Sequence, residues 1–246
     1  MDNFDEDDLY RSADSRPVLR SLMFAILGGI ALGVTGCTGG EQGDTEPVGR
    51  TDQALTPTQP FVRPNIYDFG PSQRATLVNG ILDFITQPII DEHAQAHDWH
   101  HPGVGELFFI RHHEYLDQLE DYLLGHGLSG FVPVPEWDPV TAIPAEFLVA
   151  DPLVTQAPMN ANPNPPIHPE FADTELCKFA TASDMAKAVE EWHDGVHTAV
   201  GGAMFLRETA AGAPIFWLWH GFLDDMYHER TWRCETLPAL VVATRE

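Results

Sequence analysis

The sequence predicts a mainly α-helical protein, built as a four-helix bundle with long proline-rich loops. Apolar residues recur at helical spacing in four segments of the 246-residue chain. No stretch of any length alternates between apolar and polar residues, as a half-buried strand would. A long irregular stretch joins these segments, an organisation that fits a helical bundle with a site in its core.

The apolar stripes predict four helices. We expect them at about residues 72–90, 112–124, 183–197 and 217–232. Gly125 follows the second helix, at the position where glycine commonly caps a helix C-terminus. Ser183 opens the third helix as an N-cap. Residues 131–170 are rich in proline and predict a long, ordered or semi-ordered loop between the second and third helices.

The first 36 residues have the features of an export signal. A 13-residue apolar run over 22–34 follows three arginines, and it is shorter than the roughly 17 residues that a membrane-spanning helix needs. The run closes with Val34-Thr35-Gly36-Cys37, which resembles the bacterial lipobox, where the signal is cleaved before a cysteine that becomes lipidated. A plain secretory signal with an incidental cysteine is the alternative.

The remaining chain divides into a spacer and a domain. Residues 37–60 are rich in Gly, Thr, Gln and Pro, a composition typical of flexible linkers, and we expect the folded domain over 61–246. The protein is thus expected to be exported and lipid-anchored at Cys37, on the periplasmic or outer face of a bacterial envelope. Cys177 and Cys234 then remain, and they either pair or stay as two buried thiols.

The charge of the chain excludes some partners. There are 13 Lys and Arg against 37 Asp and Glu, which gives a formal charge of −24. Nucleic-acid binding depends on cations that neutralise phosphates. We therefore expect no nucleic-acid partner, and membrane attachment only through a lipid at Cys37.

The histidines indicate a metal site. All 12 lie between His93 and His228. His193 and His197 are four residues apart, which places both imidazoles on one helix face, and His220 ends a strongly apolar run. A second cluster lies upstream and consists of His93, His97, His100, His101, His112 and His113. Sites built from imidazoles alone select copper, zinc, iron or nickel over calcium or magnesium.

Three features narrow the kind of metal site. The zinc-protease motif His-Glu-x-x-His is absent from the sequence. A carboxylate-bridged di-iron bundle needs two Glu-x-x-His units, whereas the chain has one, from Glu190 to His193. The cysteines lack the spacing of a zinc ribbon or a blue-copper site. Two all-histidine sites on facing helices remain.

Several segments follow one another at fixed spacing. Three of them are His193-Asp194-Gly195-Val196-His197, Val200-Gly201-Gly202-Ala203-Met204, and Pro214-Ile215-Phe216-Trp217-Leu218-Trp219-His220 with Asp224 after it. A fourth, upstream, is Phe108-Phe109-Ile110-Arg111-His112-His113-Glu114-Tyr115-Leu116 with Glu120. The first three resemble the CuB region of the tyrosinase and catechol oxidase family, and the fourth resembles the end of its CuA region. The resemblance spans roughly residues 75–232 and implies a dinuclear copper centre inside the four-helix bundle.

The resemblance implies roles for the residues of the CuB region. His193, His197 and His220 would ligate CuB. Asp194 stands where many family members have an asparagine that orients a water, and Glu190 is the nearest match to the acidic partner of that water. Asp194 and Glu190 are therefore the candidate catalytic residues, as acceptors of a proton from the substrate.

The CuA ligands follow less directly. The resemblance makes His112 the third ligand. The second ligand usually precedes it by nine positions, which is Gly103 here, so His101 takes this role with a small insertion after it. His93 is the expected first ligand and His97 the alternative. Seven histidines are thus candidates for six ligand positions.

The chain also departs from the family pattern. Ala213 replaces the usual Asp before the Pro-x-Phe-Trp segment, Arg111 replaces an aromatic, His113 replaces an arginine, and Trp219 replaces a histidine. Groups around ligand imidazoles tune a metal, so these changes would alter copper affinity or potential.

The resemblance implies a dicopper oxidase that holds two copper ions and uses dioxygen to convert phenols or catechols to o-quinones. Its expected partners are a small phenolic or catecholic substrate and dioxygen. The alternative is a copper- or dioxygen-binding protein of the same fold without useful turnover, and a di-iron or zinc enzyme is the third choice.

Overall fold

The computed structural model describes residues 61–96, 104–154 and 157–236. The predicted signal peptide over 1–36 and the predicted linker over 37–60, with Cys37, lie outside these residues. The described residues are mainly helical and contain no strand, only one isolated bridge between Asn65 and Glu136. The predicted fold class is therefore confirmed.

Six α-helices account for most of the described residues. In chain order they are α1 Pro71–Phe84, α2 Gln87–Ala96, α3 Leu107–Gly125, α4 Ala182–Val200, α5 Arg207–Ala210 and α6 Pro214–Thr231. The helices α3 and α6 pack against each other, and each also contacts α1 and α4. These four helices form the bundle, while the shorter α2 packs against α5. None of the described helices is both long and apolar enough to cross a membrane.

The first predicted helix is two helices in the structure. The chain leaves α1 at Ile85, which has an extended backbone, and re-enters helical geometry at Gln87. Pro88 explains the break, because it has no amide to donate to the carbonyl four residues earlier. In the first turn of α2 that missing amide leaves no helical hydrogen bond unmade.

The predicted N-cap of α4 was wrong by two residues. Thr181, and not Ser183, is the N-cap: its hydroxyl accepts a hydrogen bond from the amide of Asp184 at 3.1 Å. Ser183 lies inside the first turn. Other boundaries also moved, since α3 begins at Leu107 and α6 at Pro214.

The helix α6 forms the centre of the core. Every residue from 211 to 221 is buried, so the first two turns of α6 are enclosed on all sides. A helix that is buried on all sides has apolar residues around its whole circumference. Residues 214–219 fit this description, because all six are apolar.

The proline-rich stretch is an ordered loop where it is described, at 131–154 and 157–170. Trp137 and Phe147 are fully buried in the core. Backbone hydrogen bonds attach the loop to the bundle: the amide of Trp137 donates to the carbonyl of Leu218 at 3.0 Å, and that of Asn160 donates to Val200 at 2.8 Å.

Cys177 and Cys234 form a disulfide, which answers the alternative that the sequence left open. It joins the short turn Leu176–Lys178, before α4, to the π-helical turn Trp232–Thr236, after α6. The two cysteines are 57 positions apart. On a chain-entropy account, closing such a loop stabilises the fold by about 4 kcal/mol.

Candidate metal centre

Five buried histidines converge inside the bundle. They are His93 from α2, His112 from α3, His193 and His197 from α4, and His220 from α6. Each is 7% exposed or less. The rings of His112 and His220 stack with centroids 4.3 Å apart, and those of His193 and His197 lie 4.4 Å apart. One nitrogen from each of His112, His193 and His220 lies within 4.8 Å of the others.

Two of these histidines are oriented by their own helices. Nδ1 of His112 lies 2.7 Å from the carbonyl oxygen of Phe108, and Nδ1 of His220 lies 2.7 Å from that of Phe216. Each carbonyl belongs to the residue four positions earlier. In both cases the acceptor is the carbonyl oxygen one turn earlier in the same helix, so helix geometry places it beside Nδ1.

Two more histidines are oriented by the segment between α4 and α6. Nδ1 of His197 lies 2.7 Å from the carbonyl oxygen of Met204, and Nδ1 of His93 lies 3.1 Å from that of Arg207. The glycines at 201–202 have φ of 65° and 56° and reverse the chain directly after α4. Glycine adopts this left-handed conformation without a steric penalty. Because the chain reverses here, the carbonyl oxygens of Met204 and Arg207 lie beside the histidine cluster.

The fifth histidine is oriented by a side chain. Nδ1 of His193 lies 2.9 Å from Oδ1 of Asp194, the next residue. The carboxylate is otherwise open to solvent, with 77% of the side chain exposed. A carboxylate on the far nitrogen of a ligand imidazole fixes the ring and raises its basicity.

These contacts decide which nitrogen of each ring can bind a metal. Carbonyl and carboxylate oxygens only accept hydrogen bonds, so Nδ1 is the donor in all five rings. In a neutral imidazole the lone pair then belongs to Nε2. Ligand histidines are commonly held in this way, by an acceptor on the nitrogen that does not bind the ion.

The spacing of two Nε2 atoms fits one shared ion. Those of His193 and His220 lie 3.1 Å apart. Two nitrogens about 2.0–2.1 Å from one ion at a tetrahedral angle lie roughly 3.3 Å apart. Burial, reinforced by His112 and His197, lowers the pKa of His220 well below its usual value. The ring is neutral, its lone pair faces that of His193, and the donor set suits a transition-metal cation.

Aromatic side chains exclude water from the centre. The ring of Phe216 lies 4.0 Å from that of His220 and 4.6 Å from that of His93, between centroids. The ring of Phe108 lies 4.5 Å from that of His112. A dry apolar lining strengthens electrostatic interactions inside a site.

The predicted residues fall into three groups. The five histidines above lie together, and of the two alternatives for the first CuA ligand the structure brings His93 into the cluster. Asp194 contacts a candidate ligand, and Glu190 lies one turn earlier on α4, half-buried. His97 and His101 lie outside the described residues.

Sequence reasoning missed Arg63, which joins the two central helices. Its Nε and Nη2 donate to Oδ2 of Asp224 on α6, at 3.1 and 2.7 Å, and its Nη1 donates to Oε1 of Glu120 on α3 at 2.6 Å. Arg63 is 2% exposed. Only an indirect signal for Arg63 was present in the sequence. Glu120 and Asp224 lie on apolar helices and would need a buried cation, but the sequence does not show which Arg or Lys supplies it.

Fold and site together define a helical protein whose core holds a cluster of histidines that could bind a metal ion. The family model for the common central domain of tyrosinase matches residues 147–233. The match covers about a third of the chain and supports the resemblance over these residues. The match includes α4 and α6 with His193, His197 and His220, whereas His93 and His112 precede it. No curated protein and no solved structure gives a significant match.

The matched domain supports copper binding and, in general terms, a copper oxidoreductase.

Proposed function

We propose that the protein is a dicopper oxidase that uses dioxygen to convert phenols or catechols to o-quinones. One observation carries this proposal. In a chain with a tyrosinase central domain, five buried histidines from four helices share the same tautomer, with Nδ1 bonded to an oxygen and the lone pair on Nε2.

In this proposal the ligands divide into two groups. His193, His197 and His220 would hold one copper ion, and His93 and His112 would hold the other together with His101. When bound, the two copper ions supply the electrons that reduce dioxygen. The neutral state of His220 keeps its lone pair available across the ordinary pH range.

The chain itself would handle the substrate proton. The side chain of Asp194 is exposed to solvent, and its Oδ1 accepts a hydrogen bond from Nδ1 of His193. Because it bonds the nitrogen of His193 that faces away from the metal, Asp194 would accept the phenolic proton at the rim of the centre and release it to water, with Glu190 as its neighbour one turn away. The aromatic lining around His93, His112 and His220 would admit a flat phenolic ring and exclude bulk water.

Copper content and oxygen uptake test the proposal. The purified chain, reconstituted with copper, should bind about two ions and consume oxygen with a simple catechol. His197→Ala should lose nearly all of that uptake, because it removes one of three ligands to one ion. His126→Ala is the matched control and should behave as wild type, since His126 is exposed at the end of α3.

Other results would contradict the proposal. A reconstituted chain with far fewer than two copper ions would exclude the dicopper site. Full copper content without oxygen uptake on either a monophenol or its matching catechol would favour the alternative, a copper- or dioxygen-binding protein without turnover.

We also propose that the protein is exported and lipid-anchored at Cys37. The apolar run over 22–34 and the lipobox-like segment support this proposal, and the Cys177–Cys234 disulfide suits an oxidising compartment. Cys37→Ala should move the protein from the membrane fraction to the soluble exported fraction of bacterial cells. Retention of the variant in the membrane would exclude the anchor.

A further inference from the structure

We propose that His113, Asp224 and His228 form a second site, for a divalent transition-metal ion of the Zn²⁺ or Cu²⁺ type. One ligand atom from each lies within 4.8 Å of the other two. His113 is on α3, and the other two are on α6. None of the three belongs to the histidine centre described above.

Both imidazoles converge on the same carboxylate oxygen. Oδ1 of Asp224 lies 2.9 Å from Nδ1 of His113 and 3.6 Å from Nε2 of His228. Without an ion, the shorter separation is a hydrogen bond that Nδ1–H of His113 donates to Oδ1 of Asp224, and a bound ion would replace that proton. The two separations bracket the roughly 3.3 Å expected between two ligands of one tetrahedral ion. Asp224 and His228 are four positions apart, so a helix face presents both to one ion.

Arg63 prepares the carboxylate for this role. Its guanidinium binds Oδ2 of Asp224 and so fixes Oδ1 toward the two histidines. The positive charge of Arg63 does not stand alone against an incoming cation, because Glu120 also binds it at 2.6 Å. Asp224 is 2% exposed, which makes it a rigid, preorganised ligand.

A further carboxylate lies on the far side of His113. Oδ2 of Asp117 is 3.7 Å from Nε2 of His113, the nitrogen that faces away from Asp224. Metal-ligating histidines commonly have a carboxylate at the opposite ring nitrogen. At this distance Asp117 does not fix the ring by a hydrogen bond, but it adds negative charge beside His113.

The donor set and its exposure define the ion. Two imidazoles and one carboxylate suit Zn²⁺ or Cu²⁺, whereas Ca²⁺ and Mg²⁺ prefer oxygen ligands. The side chains of His113 and His228 are 38% and 30% exposed, so an ion can enter from solvent. Three protein ligands leave the fourth position of a tetrahedral ion to water.

This site is adjacent to the histidine centre and separate from it. His113 follows His112 directly, but one residue along a helix turns the side chain by about 100°. Asp224 lies one turn beyond His220. An ion at the second site would link α3 to α6, the two helices at the centre of the bundle, and would stabilise the folded state by mass action.

Zinc counting tests the proposal without reference to catalysis. Full-length protein is dialysed to equilibrium against excess buffered Zn²⁺, and bound zinc per chain is measured for wild type, His113→Gln, His228→Gln and the control His126→Gln. Wild type and the control should each hold one zinc more than the two test variants. Zinc should also raise the thermal midpoint of wild type by more than that of either test variant.

Equal zinc content in wild type and both test variants would overturn the proposal. A variant that fails to fold is recognised by the loss of its helical circular dichroism signal. In that case the location of bound zinc in a crystal of the wild-type protein decides the question. Crystals of the full chain grown with zinc should show an anomalous peak bonded to all three side chains. A map with no peak at that place would overturn the proposal.

Discussion

At the scale of single residues, the position of one proton decides whether each histidine can act as a ligand. Four of the five central histidines donate Nδ1–H to backbone carbonyl oxygens. A side-chain substitution does not remove these acceptors, because every residue carries a backbone carbonyl. His193 differs, because its acceptor is the carboxylate of Asp194. That position can therefore be altered while the rest of the centre stays as it is.

Substitutions of Asp194 should separate orientation from proton transfer. Asp194→Asn keeps an oxygen that accepts from Nδ1 of His193 but removes the base. We expect near-normal copper content and a fall of about 10²–10⁴-fold in turnover of a monophenol. Asp194→Ala removes the acceptor as well, and copper affinity should fall by about 10–100-fold.

Both quantities are measurable on the same preparations, by copper titration and by oxygen uptake. Wild-type turnover in Asp194→Asn would show that the carboxylate is not the proton acceptor. Wild-type copper affinity in Asp194→Ala would show that it does not orient His193.

At the scale of elements, the apolar stripes predicted the existence of the helices better than their ends. The third predicted helix became α4, three residues longer at its C-terminus, because its stripe continues to Val200. The first predicted helix is α1 and α2 in the structure, because the spacing of apolar residues gives no sign of the break before Pro88. The short helix α5 was not predicted, because four residues are too few to show a period.

The reversal after α4 yields a prediction about the element that orients His197. A Cβ at Gly202 would lie 2.7 Å from the carbonyl oxygen of Ala157, at a φ of +56°. Gly202→Ala should therefore lower the free energy of unfolding by at least about 1–2 kcal/mol and displace the Met204 carbonyl. Copper affinity should fall with it.

Gly195→Ala is the matched control, in the helix that precedes the reversal. A Cβ at Gly195, inside α4, meets nothing within 4 Å. Because alanine favours helix over glycine, this variant should be more stable than wild type by about 1 kcal/mol. Denaturant unfolding of both variants checks the pair, and equal stability of the two would contradict the steric argument.

At the scale of the whole molecule, the excess of acidic residues shapes stability. Arg63 is buried among carboxylates, and its amide also donates to Oδ1 of Asp225 at 3.1 Å. Nearby, burial and the charge of Asp225 raise the pKa of Glu136 to about 7. Burial also raises the pKa of Asp225 to about 6. The folded protein therefore holds protons that the unfolded chain releases.

For Glu136, this linkage predicts a contribution to stability that falls as pH rises. Below about pH 4.5 Glu136 is protonated in both states, and between about 4.5 and 7 only the folded state keeps the proton. Rising pH therefore removes stability across this window, by at most about 1.4 kcal/mol per pH unit for one group. Glu136→Gln should remove this contribution, so that its stability relative to wild type increases from pH 5 to pH 8.

Denaturant unfolding of the metal-free protein from pH 5 to pH 8 measures the effect. Glu208→Gln alters an exposed carboxylate on α5 and should keep the wild-type profile. Parallel profiles for Glu136→Gln and wild type would show that Glu136 does not carry the proton.

The amino-acid pattern was sufficient to predict the helical fold class and the histidines that lie on α4 and α6. Both depend on spacing within one helix, which a linear pattern displays directly. Tertiary structure alone decided the acceptor on His93, since Arg207 lies 114 positions away. It also decided the role of Arg63, 161 positions from Asp224. Such pairs depend on the path of the chain through loops, where residues widely separated in sequence become neighbours.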